Sequence, residues 1–332
     1  MNLEKHMQPI NRRHHLSWLA VMAATALVPP ALAQDNTLRI VVGYPPGGSS
    51  DRMARIVAEK LQSRLGTPVI VENRTGAGGR LAAQQIKAGT LGQNVLMVAN
   101  PAVMVVAPQV FKDNGYDAEK DFVPVSHVND YEFAIAVATA VPVRELNHLL
   151  AWLRANPAQA NFGVPATGSL PHFFALMTGE KAGVSTQVIG YRGSAPLISD
   201  LLGGQIPVAV DTFDSLLPQH EAGKLRILAT SGLQRSPMSP QIPTFKESGL
   251  KLTAMGWNTF FAPATMPSER VSRYASAIQA IMKEVDTRQK FIDATVPQAE
   301  LLGLTIPDPQ LKWNAGRGHY DIGPIDWDEF WR

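Results

Sequence analysis

The chain has 332 residues, of which 45% are hydrophobic and 17% are charged, and its formal net charge at neutral pH is +2. This composition is that of a folded globular protein, and it excludes a disordered acidic tail and a strongly basic protein that binds nucleic acid. Cysteine is absent, which excludes disulfides, thiol nucleophiles and cysteine-based metal sites. At this length we expect one large or two medium domains.

Residues 1–33 have the pattern of a cleavable signal peptide. A basic segment precedes the apolar run LSWLAVMAATALV, and the small residues Ala31 and Ala33 provide a cleavage site. The run is shorter than the ~20 apolar residues that usually span a membrane, and a retained anchor is the alternative. Arg12 and Arg13 leave both the Sec and the twin-arginine export routes open. Cleavage removes three basic groups and one acidic group, so the mature chain is near neutral and any preference for anions requires a local site.

The first predicted unit is a strand, a turn and a helix. LRIVVGY is a short apolar strand, and apolar residues then recur at helical spacing from Met53 to the helix end at Gly66. Ser49 or Ser50 is the expected N-cap, and Asp51 lies in the first turn, where the helix dipole favours negative charge. The strand PVIVEN follows. This order predicts an α/β fold with parallel strands and crossover helices.

The turns that join the first strands to their helices consist mainly of residues with small side chains. They read YPPGGSS and, after PVIVEN, GAGG. The carboxyl ends of strands are the usual ligand sites of open α/β sheets, and uncovered amides at a helix N-terminus attract anions. Ordinary glycine-rich turns are the alternative. GAGGRL lacks the third glycine of a dinucleotide fingerprint and no P-loop motif occurs, so no cofactor is expected.

Two further helix starts follow in the middle of the chain. GVPATGSLPHFFALM offers Ser169 as an N-cap with Pro171 in the first turn, and YRGSAPLISDLLGG offers Ser194 with Pro196. The strand IPVAVDT then ends at Asp211. Four helix N-termini could therefore converge on one cleft.

A later segment, SERVSRYASAIQAIMKEV, predicts an amphipathic helix capped by Ser268. Its expected apolar face consists of Val271, Tyr274, Ile278, Ile281, Met282 and Val285.

Taken together, these motifs resemble one family. YPPGGSSDRMARIVAEKL, LGTPVIVENRTGAGG, YDAEKDFVPVS, YRGSAPLISDLLGGQIPVAVDT, AGKLRILATSGLQRSP and PTFKESGL are similar, in this order, to segments of the Bug-type periplasmic receptors of tripartite tricarboxylate transporters. The resemblance runs from about Leu38 to about Thr295. It implies a two-lobed periplasmic binding protein of type II-like fold, in which each lobe is a mostly parallel sheet flanked by helices. It also implies that 34–135 with 261–332 form lobe 1, and that 136–260 form lobe 2.

The same resemblance implies that an organic acid is held between the lobes, mainly by backbone groups and waters. Together with the helix starts, it predicts these ligand-binding residues: Tyr44, Pro46, Gly47, Gly48, Ser49, Asp51, Gly76, Ala77, Gly78, Asn100, Thr167, Gly168, Ser169, His172, Tyr191, Arg192, Gly193 and Asp211. For Asp51 a dipole partner or a lock on its own turn is favoured over a ligand contact. For Arg192 the alternative is a surface position, and for Tyr191 it is a packing role. Thr212 is a weaker candidate. His127, His148, His220 and His319 lack metal-ligand spacing, and no metal site is predicted.

The function predicted from this pattern is that of an extracytoplasmic receptor, expected to be a monomer, which delivers a small carboxylate to membrane transporter subunits. A sensor for a membrane signalling partner is the alternative. A hydrolase that uses Ser169 and His172 is disfavoured, because no G-x-S-x-G elbow occurs and capping explains the spacing.

The chain departs from the family pattern at three places. LGQNVLM replaces an Asp-Gly-x-Thr motif, Gly190 replaces a proline, and the tail from Gly303 does not resemble the final helix of the family.

Overall fold

Two groups of parallel strands, joined by two long antiparallel strands, form the framework. The computed structural model describes residues 36–293, 313–314 and 319–320, so the predicted signal peptide and most of the atypical tail lie outside the described residues. The strands are β1 (Leu38–Val42), β2 (Val69–Asn73), β3 (Val95–Ala99), β4 (Phe122–Ala138), β5 (Asn161–Val164), β6 (Gln187–Gly190), β7 (Val208–Thr212), β8 (Leu225–Thr230), β9 (Met255–Pro263), β10 (Trp313–Asn314) and β11 (His319–Tyr320). The helices are α1 (Ser49–Leu65), α2 (Arg80–Lys87), α3 (Ala107–Val110), α4 (Leu146–Ala155), α5 (Leu170–Ala182), α6 (Ser194–Leu202), α7 (Phe213–Glu221), α8 (Ser268–Met282) and α9 (Val285–Asp293). Short 3₁₀ segments occupy Ala77–Gly79 and Pro157–Gln159, and a π-helical turn occupies Ala102–Val106.

The main sheet has nine strands in the order β2-β1-β3-β9-β4-β7-β5-β6, with β8 paired to β4. Strand β1 is parallel to β2 and β3, and β5 is parallel to β6 and β7, as the strand–helix order predicts. The central strand β4 pairs with β9 as far as Glu132 and with β7 and β8 from Phe133 onward. The sheet therefore has a first half around β1 and a second half around β5, and β4 belongs to both.

Helices cover both faces of the first half. Along β1, Leu38, Ile40 and Val42 belong to one hydrophobic cluster with α1 and α8, whereas Val41 belongs to another with α2. This alternation is the period of two of a strand, and burial on both faces is typical of parallel sheets. The second half has one large core around β4, β5, β7 and β8. This packing fixes the positions of the strand ends and therefore of the loops that follow them.

The predicted helix caps are partly confirmed. Ser169 caps α5, because its hydroxyl oxygen accepts a hydrogen bond from the His172 amide at 3.4 Å. Ser49 or Ser50 was expected as the cap of α1 and Ser194 as the cap of α6, and both expectations were wrong. Gly48 and Gly193 are the N-caps of these two helices, so the serines are the first helical residues and their hydroxyls make no capping bond.

The predicted apolar face of α8 is confirmed up to Met282 but not beyond. Tyr274, Ile278 and Ile281 are buried, whereas Val285 is 81% exposed. The reason is that α8 ends at Met282 and Val285 begins α9, a separate helix. Ser268 is also not a cap, because Pro267 occupies the N-cap position. None of the helices within residues 36–293 combines the length and the hydrophobicity that a bilayer crossing requires.

Candidate ligand-binding site

A pocket lies where the strand ends of both halves meet. Its volume is about 60 Å³. The wall is formed by residues that follow β1, β3, β5 and β6, by the last two residues of β7 and by one residue of β4. They are Tyr44, Pro45, Gly48, Ser49, Ser50, Asn100, Tyr131, Pro165, Ser169, Leu170, Pro171, Gly193, Ser194, Asp211 and Thr212. A larger cavity of about 600 Å³ lies beside Lys87 and the Phe111–Glu119 loop, and it includes none of the predicted site residues. The small pocket is therefore the candidate site.

The N-termini of α1, α5 and α6 contribute to this pocket through Ser49, Leu170 and Ser194. The amides in the first turn of a helix have no acceptor within their own helix, and the helix dipole makes this end positive. In α5 the donors are partly used, because the His172 amide bonds to Ser169 and Pro171 has no N–H. The amides of Ser49 and Ser194, the first residues of α1 and α6, have no backbone acceptor among the described residues and can donate to an anion.

Neutral hydrogen-bonding groups line the side of the first half. The Tyr44 hydroxyl donates to the Gly78 carbonyl at 3.1 Å, and the side-chain amide of Asn100 lies 3.0 Å from the same hydroxyl. Burial raises the pKa of Tyr44, and the hydrogen bond with Asn100 opposes this only in part. Tyr44 therefore stays protonated, and this wall of the pocket carries no charge.

The side of the second half is acidic. The Asp211 carboxylate is 1% exposed, and its Oδ1 accepts the Thr212 amide at 2.7 Å, while Oδ2 has no partner among the described residues. Burial raises the pKa of Asp211 to about 7, against the lowering effect of the Ser194 hydroxyl and the Thr212 amide. The Ser194 hydroxyl lies close enough to lower the pKa of Asp211, but it does not form a hydrogen bond of standard geometry with Oδ2.

A buried ion pair lies behind this acidic wall. The guanidinium of Arg52 on α1 binds the carboxylate of Asp214 on α7, and it also donates to the Gly47 carbonyl at 2.7 Å. Burial raises the pKa of Asp214, whereas Arg52 and the hydroxyls of Thr212 and Ser49 lower it. The Ser49 hydroxyl is itself buried and makes no hydrogen bond of standard geometry with a described residue. The pair joins the two halves of the sheet beside the pocket.

Seven of the predicted site residues line the pocket: Tyr44, Gly48, Ser49, Asn100, Ser169, Gly193 and Asp211. The others do not: Pro46, Gly47, Asp51, Gly76, Ala77, Gly78, Thr167, Gly168, His172, Tyr191 and Arg192. Gly47 has its amide occupied, since it donates to Asp51 Oδ2 at 2.9 Å, and so it offers no donor to a ligand.

Asp51 makes the contacts of a lock on its turn. Besides Gly47, its carboxylate accepts hydrogen bonds from Arg55 at 2.9 and 3.0 Å and from Asn73 at 2.9 Å. Burial raises the pKa of Asp51, but these hydrogen bonds outweigh it and hold the pKa below its usual value. These contacts support the interpretation of Asp51 as a lock on its turn.

Several predicted residues lie at the rim rather than in the wall. A Cβ placed on Gly78 would lie 3.1 Å from the Gly168 carbonyl oxygen, so the GAGG turn of the first half touches the loop before α5. His172 Nδ1 accepts the Gly168 amide at 2.8 Å, and the Tyr191 hydroxyl donates to Asp200 at 2.8 Å. Arg192 is exposed.

Sequence reasoning missed Pro45, Ser50, Tyr131, Pro165, Leu170, Pro171 and Ser194 as wall residues. Tyr131 was the most difficult of these to predict, because it lies within β4 rather than at a strand end. It is paired with Gly256 on β9, where a Cβ would lie 2.3 Å from its ring. Gly256 is the signal that could have indicated Tyr131, and it becomes meaningful only once the strand register is known.

The sequence profile of the family described as "Tripartite tricarboxylate transporter family receptor" matches residues 53–298. The chain belongs to this family. A relative from Bordetella bronchiseptica, described as a UPF0065 protein, is 32% identical to this receptor over 302 residues, which cover 87% of this chain and 89% of that protein.

Solved structures agree with this assignment. The periplasmic binding protein BugD is 28% identical with a TM-score of 0.73, and the match covers 78% of this receptor and 87% of BugD. MatC from Rhodopseudomonas palustris, solved with bound malate, is 25% identical with a TM-score of 0.73, over 80% of this receptor and 91% of MatC. The receptor thus has the two-lobed α/β fold of periplasmic solute-binding proteins, a class of proteins that are not enzymes.

Proposed function

We propose that this receptor binds a small organic carboxylate in the pocket between its lobes and delivers it to the membrane subunits of a tripartite tricarboxylate transporter. The observation that carries the proposal is the meeting of the α1 and α6 N-termini at one pocket without a lysine or arginine in its described wall. Charge-assisted hydrogen bonds contribute roughly 1.5–3 kcal/mol each. Two or three of them contribute about 3–9 kcal/mol before ordering costs, whereas micromolar affinity requires about 8 kcal/mol, so contacts of the rest of the ligand with the pocket wall must supply the difference. The bound malate of MatC supports the same class of ligand.

The proposed lobes follow from the resemblance, with 34–135 and 261–332 in lobe 1 and 136–260 in lobe 2. In support, β4 is the strand that belongs to both halves of the sheet, and it changes partners between Glu132 and Phe133. The pocket lies between these halves.

The hydrolase alternative lacks support from the side-chain contacts. The Ser169 hydroxyl donates to the Ala166 carbonyl at 2.7 Å, and His172 Nδ1 is occupied by the Gly168 amide. Neither group is arranged as a nucleophile with its base.

The role of the α1 amide can be tested by a proline substitution. Proline at the first position of a helix removes an N–H that has no partner in the helix and leaves the helix intact. Gly48 has φ −75° and ψ 169°, which suit the residue before a proline. We expect Ser49→Pro to bind carboxylates at least tenfold more weakly than Ser49→Ala, because only the proline variant also loses the amide. Titration calorimetry on both variants measures this ratio.

Ser268→Pro is the matched control, since Ser268 is the first residue of α8 and lies outside the pocket. It should bind like the unmodified protein. Equal affinities of Ser49→Pro and Ser49→Ala, with both proteins folded, would contradict main-chain recognition at α1.

Export can be tested independently of binding. The pattern of 1–33 predicts that the mature periplasmic protein begins at Gln34, after cleavage at the Ala31–Ala33 site. The intact mass of protein recovered from the periplasm gives the N-terminus directly. A mass that retains residues 1–33 would contradict the proposed soluble, exported receptor.

A further inference from the structure

The pocket carries more negative than positive charge on the side of the second half. Asp211 lies in its wall and Asp214 lies behind it, whereas the nearby cation, Arg52, is bound to Asp214. The pocket wall itself contains no lysine, arginine or histidine among the described residues. A ligand therefore meets two kinds of surface, the positive ends of α1 and α6 and the carboxylate of Asp211.

The Asp211 carboxylate lacks one hydrogen bond. Its Oδ1 is bound to the Thr212 amide, while Oδ2 is buried without a partner among the described residues. Buried polar atoms are nearly always paired, and a carboxylate oxygen is satisfied by a donor. Since Asp211 lines the pocket, a bound molecule is in a position to supply that donor.

We propose that the ligand is a carboxylate whose second polar group is a hydrogen-bond donor, a hydroxyl or an ammonium group, and that Asp211 Oδ2 accepts this donor. The proposal rests on the proposed function, because the ligand carboxylate is taken to lie at the helix N-termini. A second carboxylate at the same place would meet the charge of Asp211 at short range and be repelled. Asp211 thus determines specificity, while the backbone amides provide the general recognition of an acid.

Four acids with the same carbon chain test this inference: 4-aminobutanoate, 4-hydroxybutanoate, succinate and butanoate. They differ only in the group at the end opposite the carboxylate. Titration calorimetry is done at pH 8, where Asp211, with its pKa of about 7, is ionised. We expect 4-aminobutanoate and 4-hydroxybutanoate to bind at least tenfold more tightly than both succinate and butanoate.

Asp211→Asn removes the negative charge and keeps an Oδ1 acceptor for the Thr212 amide. In this variant the preference for 4-aminobutanoate over butanoate should fall below threefold. Asp130→Asn is the matched control, because Asp130 is on β4 beside Tyr131 but pairs with His127 and does not line the pocket. It should keep the preference.

The outcomes separate the two proposals. If succinate binds most tightly, or if butanoate equals the donor-bearing acids, the role of Asp211 is wrong while carboxylate binding stands. If none of the four acids binds, the proposed carboxylate site fails together with this inference. The series on the unmodified protein decides the question even where Asp211→Asn does not fold.

Discussion

Replacing Arg52 with alanine should lower the free energy of unfolding by about 2–3 kcal/mol at pH 8. The Arg52 side chain is 27% exposed, whereas that of its partner Asp214 is fully buried. Truncation therefore leaves a carboxylate in the interior without its counter-ion, and this is what makes the loss of one partner of a buried pair large. The partial exposure of Arg52 places the expected loss below that of a fully enclosed pair. Urea unfolding of the ligand-free protein measures it.

The loss should depend on pH. Burial raises the pKa of Asp214 and Arg52 opposes this, so the variant has a still higher pKa at this carboxyl. A raised pKa in the folded state means that stability falls as pH rises through that pKa, and protonation at lower pH removes the uncompensated charge. The destabilisation should therefore be smaller at pH 5 than at pH 8.

Arg64→Ala is the matched control for this experiment. Arg64 is on the same helix and pairs with Glu284, but both side chains are well exposed, at 41% and 30%. Exposed pairs contribute about 0.2–1 kcal/mol, so this variant should lose less and show little dependence on pH. Equal losses in the two variants would mean that the Arg52–Asp214 pair contributes no more than a surface contact.

Replacing Gly78 with valine should weaken carboxylate binding at least tenfold, or about 1.4 kcal/mol, in addition to destabilising the fold. Gly78 has φ +67°, and its added Cβ would lie 3.1 Å from the Gly168 carbonyl oxygen in the opposite half. The left-handed backbone alone costs roughly 1–2 kcal/mol for a residue with a side chain. The contact with Gly168 adds a second effect, because it separates the two loops at the rim of the pocket. Calorimetry and thermal unfolding together give both quantities.

Gly92→Val isolates the effect of the backbone conformation. Gly92 also has a positive φ, +83°, but nothing lies within 4 Å of a Cβ placed there. It should lose stability to a similar extent and bind carboxylates normally. Normal binding by Gly78→Val would show that the approach of the two loops plays no part in holding the ligand.

The elements that could be predicted from the sequence are those specified by neighbouring residues. The helix end at Gly66 and the cap at Ser169 depend on residues a few positions away, and both are as predicted. The parallel strands follow in the same way from apolar runs separated by glycine-rich turns. Ser49 and Ser194 were predicted as N-caps, but each is the first residue of its helix, because the glycine before it occupies the N-cap position.

The candidate site was less predictable because its contacts join distant parts of the chain. Arg52 and Asp214 are 162 positions apart, and the contact of Gly78 with Gly168 likewise depends on how the two halves meet. The role of Asp51 was also difficult to predict, because its partner Asn73 is on the next strand, 22 positions away. Local patterns identified which loops matter, whereas the direction of each side chain required the tertiary structure.

The β4–β9 pair has a mechanical consequence. Eleven residues of β4, Phe122–Glu132, run antiparallel to Met255–Pro263, with register shifts after Pro124 and after His127. A two-stranded ribbon held by a ladder of hydrogen bonds resists extension, but it bends and twists readily, and irregular register concentrates the bending. Rotation about this ribbon would change the distance between the two halves of the sheet, and with it the contact between the loops at Gly78 and Gly168, which lie on opposite halves. The ribbon would then act as a hinge, at which a small rearrangement around a bound molecule changes the angle between the two halves of the sheet.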